Sequence, residues 1–188
     1  MKKLPVFILL LAAAACSSKT SHTNTPDNSI TVSMKGISDL KIGMQKESAE
    51  KLLKHKLVLP HLSPDSTNNY YDTISCKYKD IDYTLGFTKE WQEDSTYIIK
   101  LSQISSHSPL LKTPSGIGIS DDLCKIGAAY EEYRISITPT FDYTGNKPIR
   151  IKGKSEITLY DTDSNNAITF YMNNNKVEGM GVMFFEGD

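Results

Sequence analysis

The sequence predicts an α+β fold in which a helix followed by antiparallel strands occurs twice, with the helices packed on one face of the sheet. Short runs alternate apolar and polar residues, as half-buried strands do, and turn-like segments separate them. A similar helix start also occurs twice, at residues 40–55 and 116–133, with Gly43 and Gly118 at matching positions. This self-similarity predicts an internal duplication, with one repeat at 30–109 and the other at 110–188.

The N-terminus predicts a secretory signal. Residues 4–16 (LPVFILLLAAAAC) form an apolar run behind Lys2 and Lys3. A membrane-spanning helix needs roughly 20 apolar residues, whereas a charged start, a short apolar centre and small residues before a cut are typical of a signal peptide. We therefore expect cleavage between Ala15 and Cys16.

The same stretch resembles the lipobox of bacterial lipoproteins. That resemblance implies that Cys16 is acylated, with palmitate-type chains anchoring the protein to the membrane of a bacterial cell envelope. Ser17 after the cysteine is compatible with the outer membrane, facing the periplasm. The alternative is an ordinary signal cut after Ala15 with an incidental cysteine. Residues 16–29 are polar throughout, which predicts a flexible tether.

Charge and cysteine content narrow the possible partners. Loss of residues 1–15 removes two lysines and leaves 19 basic residues against 22 acidic ones. This balance argues against nucleic acid as a partner, because phosphate neutralisation requires a basic excess. Cys76 and Cys124 then remain, and an oxidising envelope allows a disulfide between them. The equal alternative is two free cysteines, with Cys124 on a predicted helix face.

The predicted elements follow the chain in the order that the duplication requires. The first helix is expected at residues 45–56, where apolar side chains recur at helical spacing, and the second begins after Ser120. Gly127 inside the second helix would allow a neighbouring backbone to come close. The strands are expected at residues 30–32, 74–78, 83–87, 97–104, 156–160, 167–172 and 176–185, with TKEWQEDS at 88–95 as a turn.

At these residues a second resemblance enters. The helix starts IGM and GIGIS, and a final strand with Lys176, Val177, Met180 and Val182, are similar to the β-lactamase inhibitor protein-like fold. They also look like the BamE-type outer-membrane lipoproteins. The resemblance implies a tandem helix-and-sheet module, in which residues 138–153 form an insertion. Because this module serves several roles, the resemblance implies little about function.

No catalytic or metal-binding constellation stands out. DTDSNN has oxygen ligands at Asp161, Asp163 and Asn165, but a calcium loop requires Gly where Asn166 stands and an acid where Met172 stands. The histidines are too scattered for a zinc site, and no nucleophile elbow is present. We therefore expect no metal, no cofactor and no enzyme activity.

A binding surface is the better hypothesis. By the two-residue period of a strand, Tyr160, Tyr171 and Thr169 point to the open face of the sheet if their neighbours face the helices. Exposed tyrosines are frequent contact residues, although cross-strand pairing on a solvated sheet explains them equally well. Trp91 lies in a polar segment, where it either covers the edge of the core or contacts a partner.

Together these features predict a lipid-anchored envelope protein that binds an unidentified envelope protein, as an inhibitor, immunity factor or assembly accessory. One alternative is an envelope hydrolase with an unrecognised active site, which a cleft gathering His55, His61 or His107 with a serine or cysteine would favour. The other is a purely structural lipoprotein.

Overall fold

The computed structural model describes residues 29–62, 70–94, 96–161 and 163–185. The predicted signal peptide, its predicted cleavage site at Ala15 and Cys16, and nearly all of the predicted tether lie outside these residues. The strands are β1 Ile30–Ser33, β2 Gly36–Ile37, β3 Leu40–Lys41, β4 Tyr71–Tyr78, β5 Ile81–Trp91, β6 Tyr97–Ser106, β7 Leu111–Lys112, β8 Arg134–Asp142, β9 Ile149–Tyr160, β10 Asn166–Asn173 and β11 Lys176–Phe184. The helices are α1 Lys46–Leu53 and α2 Leu123–Ala129, and Pro60–Leu62 forms one 3₁₀ turn.

A seven-stranded antiparallel sheet dominates the fold, in the order β4-β5-β6-β11-β10-β9-β8. It consists of two meanders, β4 to β6 and β8 to β11, that meet where β6 pairs with β11. Val182 lies opposite Ile104 at this junction, and both side chains are buried. The two meanders therefore form one continuous sheet.

A smaller sheet of four short strands, in the order β3-β2-β1-β7, lies over one face of the large one. Only its β1–β7 pair is parallel. Both sheets, both helices and the 3₁₀ turn contribute to a single hydrophobic core, whose largest fully buried side chains include Phe87, Phe170, Ile37, Leu40, Leu62, Leu111 and Ile126. We call the covered side of the large sheet the core face and the other side the open face.

The predicted α+β class with helices packed on the sheet is wrong. Of the described residues, 54% lie in strands and 12% in helices, and the two helices have only 8 and 7 residues. The small sheet does much of the covering that the prediction assigned to helices. Three of its strands have two residues each, which is too short for any hydrophobic period to register in the sequence.

Individual boundaries also differ from the prediction. Helix α1 ends at Leu53 rather than at 56, because Lys54 adopts the left-handed conformation (φ 54°) that closes many helices. The segment predicted as a turn continues β5 as far as Trp91. The insertion at residues 138–153 is mainly a hairpin of β8 and β9, two strands that are longer than any predicted there.

Each helix is preceded by a loop that pairs with the last strand of its own meander. Before α1, Gly43 (φ 81°) donates its N–H to the Leu101 carbonyl of β6. Before α2, Ser120 (φ 71°) donates its N–H to the Val177 carbonyl of β11 in the same way. Gly43 is therefore structurally equivalent to Ser120 and not to Gly118. The duplication itself stays a prediction.

Among the described helices, none is long and apolar enough to cross a membrane.

Candidate binding face

Two tyrosines lie flat across glycines on the open face. A Cβ atom on Gly86 would approach the Tyr71 hydroxyl to 2.5 Å, and one on Gly181 would approach the Tyr171 hydroxyl to 2.9 Å. Such distances leave no room for a side chain. The glycines of β5 and β11 therefore allow the aromatic rings to rest on the sheet backbone.

A single glutamine joins the two tyrosines. The Tyr71 hydroxyl donates to Oε1 of Gln103 at 2.7 Å. The side chains of Gln103 and Ser105 also act on the Tyr171 phenol, as hydrogen-bonding neighbours that lower its pKa against the larger effect of burial. Burial raises the pKa of both phenols, so they stay protonated at neutral pH. We call Tyr71, Gln103 and Tyr171 the tyrosine bridge.

His107 extends this bridge across the sheet. Its ring stacks on Tyr171, with centroids 5.9 Å apart and planes 24° apart. A Cβ atom on Gly179 would lie 2.6 Å from Nδ1, so the imidazole also depends on a glycine. Nδ1 lies 3.0 Å from the Glu178 carbonyl. Because a carbonyl only accepts, Nδ1 carries the proton of the neutral ring and Nε2 is left as the acceptor.

A groove of about 670 Å³ opens on one side of the tyrosine bridge. The groove forms near Leu101, where β6 no longer pairs with β11. The loop before α1 lies beside β6 there, and Leu101 exchanges backbone hydrogen bonds with Gly43 and Met44. We call it the aromatic groove, because its wall includes Tyr70, Tyr71, Met183 and Phe184. Three of its members are charged: Glu90 and Lys100 are paired at 2.6 Å, and the Lys89 ammonium lies 4.8 Å from the centroid of the Tyr97 ring.

A second pocket, of about 400 Å³, lies at the other end of the bridge. His107 lines it together with a row of hydroxyl groups, those of Ser75, Thr84, Ser105, Ser106 and Ser108. Ser106 already donates to the Asp82 carbonyl at 2.7 Å and accepts from the N–H of Ser108 at 3.2 Å. We call this the serine pocket.

The residues predicted for the binding surface have different positions. Tyr171 belongs to the tyrosine bridge. Thr169 is only 1% exposed, and its hydroxyl faces that of Thr158 at 3.3 Å. Thr169 lies opposite Gly181 in the sheet, and the Tyr171 hydroxyl lies over that glycine. Thr169 is therefore not available to a partner.

Tyr160 and Trp91 lie away from the bridge. The Tyr160 ring packs edge to face on Phe185, with centroids 4.9 Å apart, and beneath the Arg134 guanidinium. Trp91 ends β5, is 55% exposed and makes a T-shaped contact with Tyr97, at 5.6 Å between ring centroids. It therefore does not close the core.

The cysteines considered for a disulfide are free thiols in this structure. Cys76 lies on β4, at one edge of the large sheet, and half-burial raises its pKa. Cys124 lies on α2 and is exposed.

The described part of the chain contains no group of three histidine, cysteine or acidic side chains close enough to hold a metal ion. Asp161, the first residue of the calcium-like segment, instead accepts hydrogen bonds from the Asp163 N–H at 3.1 Å and the Ser164 hydroxyl at 2.5 Å. These short-range bonds build the turn before β10.

Sequence reasoning missed most of the face. No local motif marks Tyr71, Gln103 and His107, because Tyr71 lies on β4 and the other two lie on β6 and directly after it. The useful signal was the pair of glycines at 179 and 181 within the predicted strand at 176–185. Glycine inside a strand marks a place where another group comes close to the backbone.

No protein-family model matches the chain, and comparison with curated proteins and with solved structures gave no match.

Proposed function

We propose that this protein is a lipid-anchored component of a bacterial cell envelope, attached through Cys16, whose β domain binds a protein partner without catalysis. We assign the partner to the aromatic groove, and the outer membrane facing the periplasm is the preferred location. The observation that supports binding is the exposure of Tyr70, Tyr71 and Phe184 around one groove.

The chemistry of the groove suits a protein partner. Tyrosine, phenylalanine and methionine are enriched in interfaces, and aromatic anchors contribute much of the binding energy. The Glu90–Lys100 pair at the wall offers polar contacts beside the apolar ones. A partner with an apolar anchor and flanking polar groups therefore fits the site.

The groove is also rigid on its inner side. Tyr71 is fixed by its hydrogen bond to Gln103 and by its rest on Gly86. A side chain that is already held in place loses little conformational entropy when a partner binds. This preorganisation favours a specific interface over a solvated sheet surface.

Photo-crosslinking in the native envelope tests the proposal. A photoreactive phenylalanine replaces Phe184 in the groove, and a control replaces Val58, which is 73% exposed but outside the groove. We expect one discrete protein adduct from position 184 and none from position 58. Tyr70→Ala should reduce that adduct at least about tenfold. Equal crosslinking from both positions would contradict the proposal.

The anchor is tested separately, by metabolic labelling with a palmitate analogue. The native chain should incorporate label and Cys16→Ser should not. An unlabelled native protein found in the medium would refute the anchor while leaving the groove hypothesis intact.

The serine pocket supports a second candidate, an envelope hydrolase. His107 keeps Nε2 as an acceptor in a pocket with several serine hydroxyls, which are the groups that nucleophilic catalysis uses. A fluorophosphonate probe that labels the native protein, but not His107→Ala, would favour this candidate over a binding module.

A further inference from the structure

The β8–β9 hairpin extends beyond the body of the sheet. The regular ladder ends where Pro139 lies opposite Ser155 and resumes where Phe141 lies opposite Arg150. Gly153, with φ of 77°, lies within the irregular stretch. Every residue from 142 to 153 is exposed, although both flanking strands are well formed.

The exposed apolar side chains of this hairpin are unusually large for a free surface. Tyr143 is 72% exposed, Ile149 is 66% exposed and Ile137 is 56% exposed. Ile151 adds a fourth. Ile149 and Ile151 are two residues apart in β9 and therefore share one face of that strand. Exposed apolar side chains of this kind on a projecting element mark an interaction site.

Most of the charged residues at the end of this hairpin are basic. Lys147, Arg150 and Lys152 are all exposed, and none of them forms an ion pair with a described residue. The acid between 137 and 153 is Asp142, whose carboxylate accepts from the Thr144 N–H and hydroxyl at 2.9 and 2.7 Å. The hairpin is thus cationic within a chain whose net charge is −1.

We infer that the tip of this hairpin, residues 141–152, binds the surface of an anionic lipid bilayer. Isoleucine and tyrosine side chains enter the boundary between head groups and acyl chains, where an amphipathic aromatic ring is favoured. Lysine and arginine keep their charged ends at the lipid phosphates while their methylene stems lie on apolar surface. Neither the acylation of Cys16 nor the aromatic groove enters this inference.

Edge protection alone does not explain the hairpin. Lysine and proline on an edge strand prevent strands of different molecules from pairing. That purpose requires the charges but not the exposed Tyr143, Ile149 and Ile151, which increase the tendency to associate. A lipid surface uses both sets of side chains.

The test places a fluorescent reporter at the tip of the hairpin in the full-length protein. Trp91 is the single tryptophan, so Trp91→Phe with Tyr143→Trp leaves one indole in the hairpin. Trp91→Phe with Val58→Trp is the matched control, because both positions are more than 70% exposed. Cys16→Ser in both chains removes the acylation site. Phosphatidylglycerol vesicles with brominated acyl chains are compared with phosphatidylcholine vesicles that carry the same chains.

We expect a blue shift and quenching at position 143 with phosphatidylglycerol, and neither at position 58. Arg150→Gln with Lys152→Gln should raise the lipid concentration for half of the change about 30-fold, at about fivefold for each cation removed. Circular dichroism and gel filtration should show that this double variant stays folded and monodisperse.

Other outcomes would overturn the inference. No change at position 143 with phosphatidylglycerol would leave an acidic protein as the remaining class of partner. An equal response with phosphatidylcholine would exclude an electrostatic role, and an equal response at position 58 would exclude a specific orientation. If the double variant aggregated but bound vesicles as well as the native protein does, Arg150 and Lys152 would serve to protect the sheet edge and not to bind lipid.

Discussion

The two helix-and-meander units of this protein begin alike and are fixed differently. In the first unit, residues 43–106, the N-cap residue Gln45 makes no capping hydrogen bond, and the helix depends on the buried Glu50 carboxylate. In the second, residues 120–184, Asp122 caps α2 by accepting from the Lys125 N–H at 3.1 Å. The two short helices are therefore stabilised in different ways, α1 by a side chain within the helix and α2 by its N-cap residue.

Glu50 connects α1 to the loop that follows it. Its carboxylate accepts from Lys46 at 2.7 Å, from Lys56 at 2.9 Å and from the buried N–H of Leu57 at 3.0 Å. When the units are aligned on Gly43 and Ser120, Gly127 of α2 occupies the place of Glu50. The second helix thus has no side chain where the first has its main anchor.

The largest expected effect tests whether the units share one core. Phe87 in the first unit and Phe170 in the second are both fully buried. Phe87→Ala and Phe170→Ala should each cost about 3–5 kcal/mol of unfolding free energy, through lost transfer energy and the cavity that remains. Because β6 pairs with β11, denaturant unfolding followed by fluorescence and by circular dichroism should give coincident transitions for both variants. Two separate transitions would show that the units fold independently.

The next largest effect distinguishes the units by their anchors. Glu50→Ala should cost about 1–3 kcal/mol, because it leaves the buried Leu57 N–H without its acceptor. Glu50→Gln keeps an acceptor of similar shape and should recover part of this loss. Urea midpoints measure both, and a Glu50→Ala protein as stable as the native one would contradict the role of this carboxylate.

The same anchor gives the protein a pH dependence. The hydrogen bonds from Lys46, Lys56 and Leu57 lower the pKa of Glu50 from 4.5 to about 2. A carboxylate with a lowered folded-state pKa stabilises the protein above its unfolded-state pKa, and this contribution disappears as the pH falls through the folded-state pKa. The stability difference between the native protein and Glu50→Gln should therefore shrink between pH 4.5 and about 2.

A smaller effect is expected at the other anchor. Asp122→Ala should cost about 1 kcal/mol, because it removes the cap of α2 and the contact with Lys176 at 3.1 Å. Asp122→Asn keeps a capping oxygen and removes the charge, so it separates the two contributions. Thermal midpoints give the comparison. Equal losses in both variants would assign the effect to the ion pair.

The smallest expected effect is a gain. Gly127→Ala should stabilise the protein by up to about 1 kcal/mol, because a Cβ there meets nothing within 4 Å and alanine favours the helix. The expectation that Gly127 admits a neighbouring backbone is therefore wrong. Gly36→Ala is the opposite control, since its Cβ would lie 2.0 Å from the Leu40 carbonyl oxygen and its φ is 144°. If Gly127→Ala destabilised the protein, the conclusion that a Cβ atom has room at this position would be wrong.

Three of the long strands were predicted far better than the fold class. β6, β10 and β11 begin and end within two residues of their predicted limits, because a strand that buries one face alternates visibly along the chain. β8 and the outer half of β9 were missed, since exposure on both faces removes that alternation. The small sheet was missed because its strands are too short to carry a pattern.

The candidate site could be predicted only in part. Strand period alone placed Tyr171 on the open face, where the structure has it. The same argument gave the direction of Thr169, which lies on that face opposite Gly181, but not its burial, because period does not show what lies above a side chain. His107 could be named only as one of three candidate histidines and Tyr71 not at all, since only the pairing of distant strands brings them beside Tyr171.

By itself the sequence determined where strands alternate and where two similar helix starts lie, because these are local properties of burial and capping. The tertiary structure decided what covers the core face, which glycines carry the rings of Tyr71 and Tyr171, and which helix depends on Glu50. These features depend on contacts between residues that are far apart in the chain. No local sequence pattern shows which of these residues come into contact.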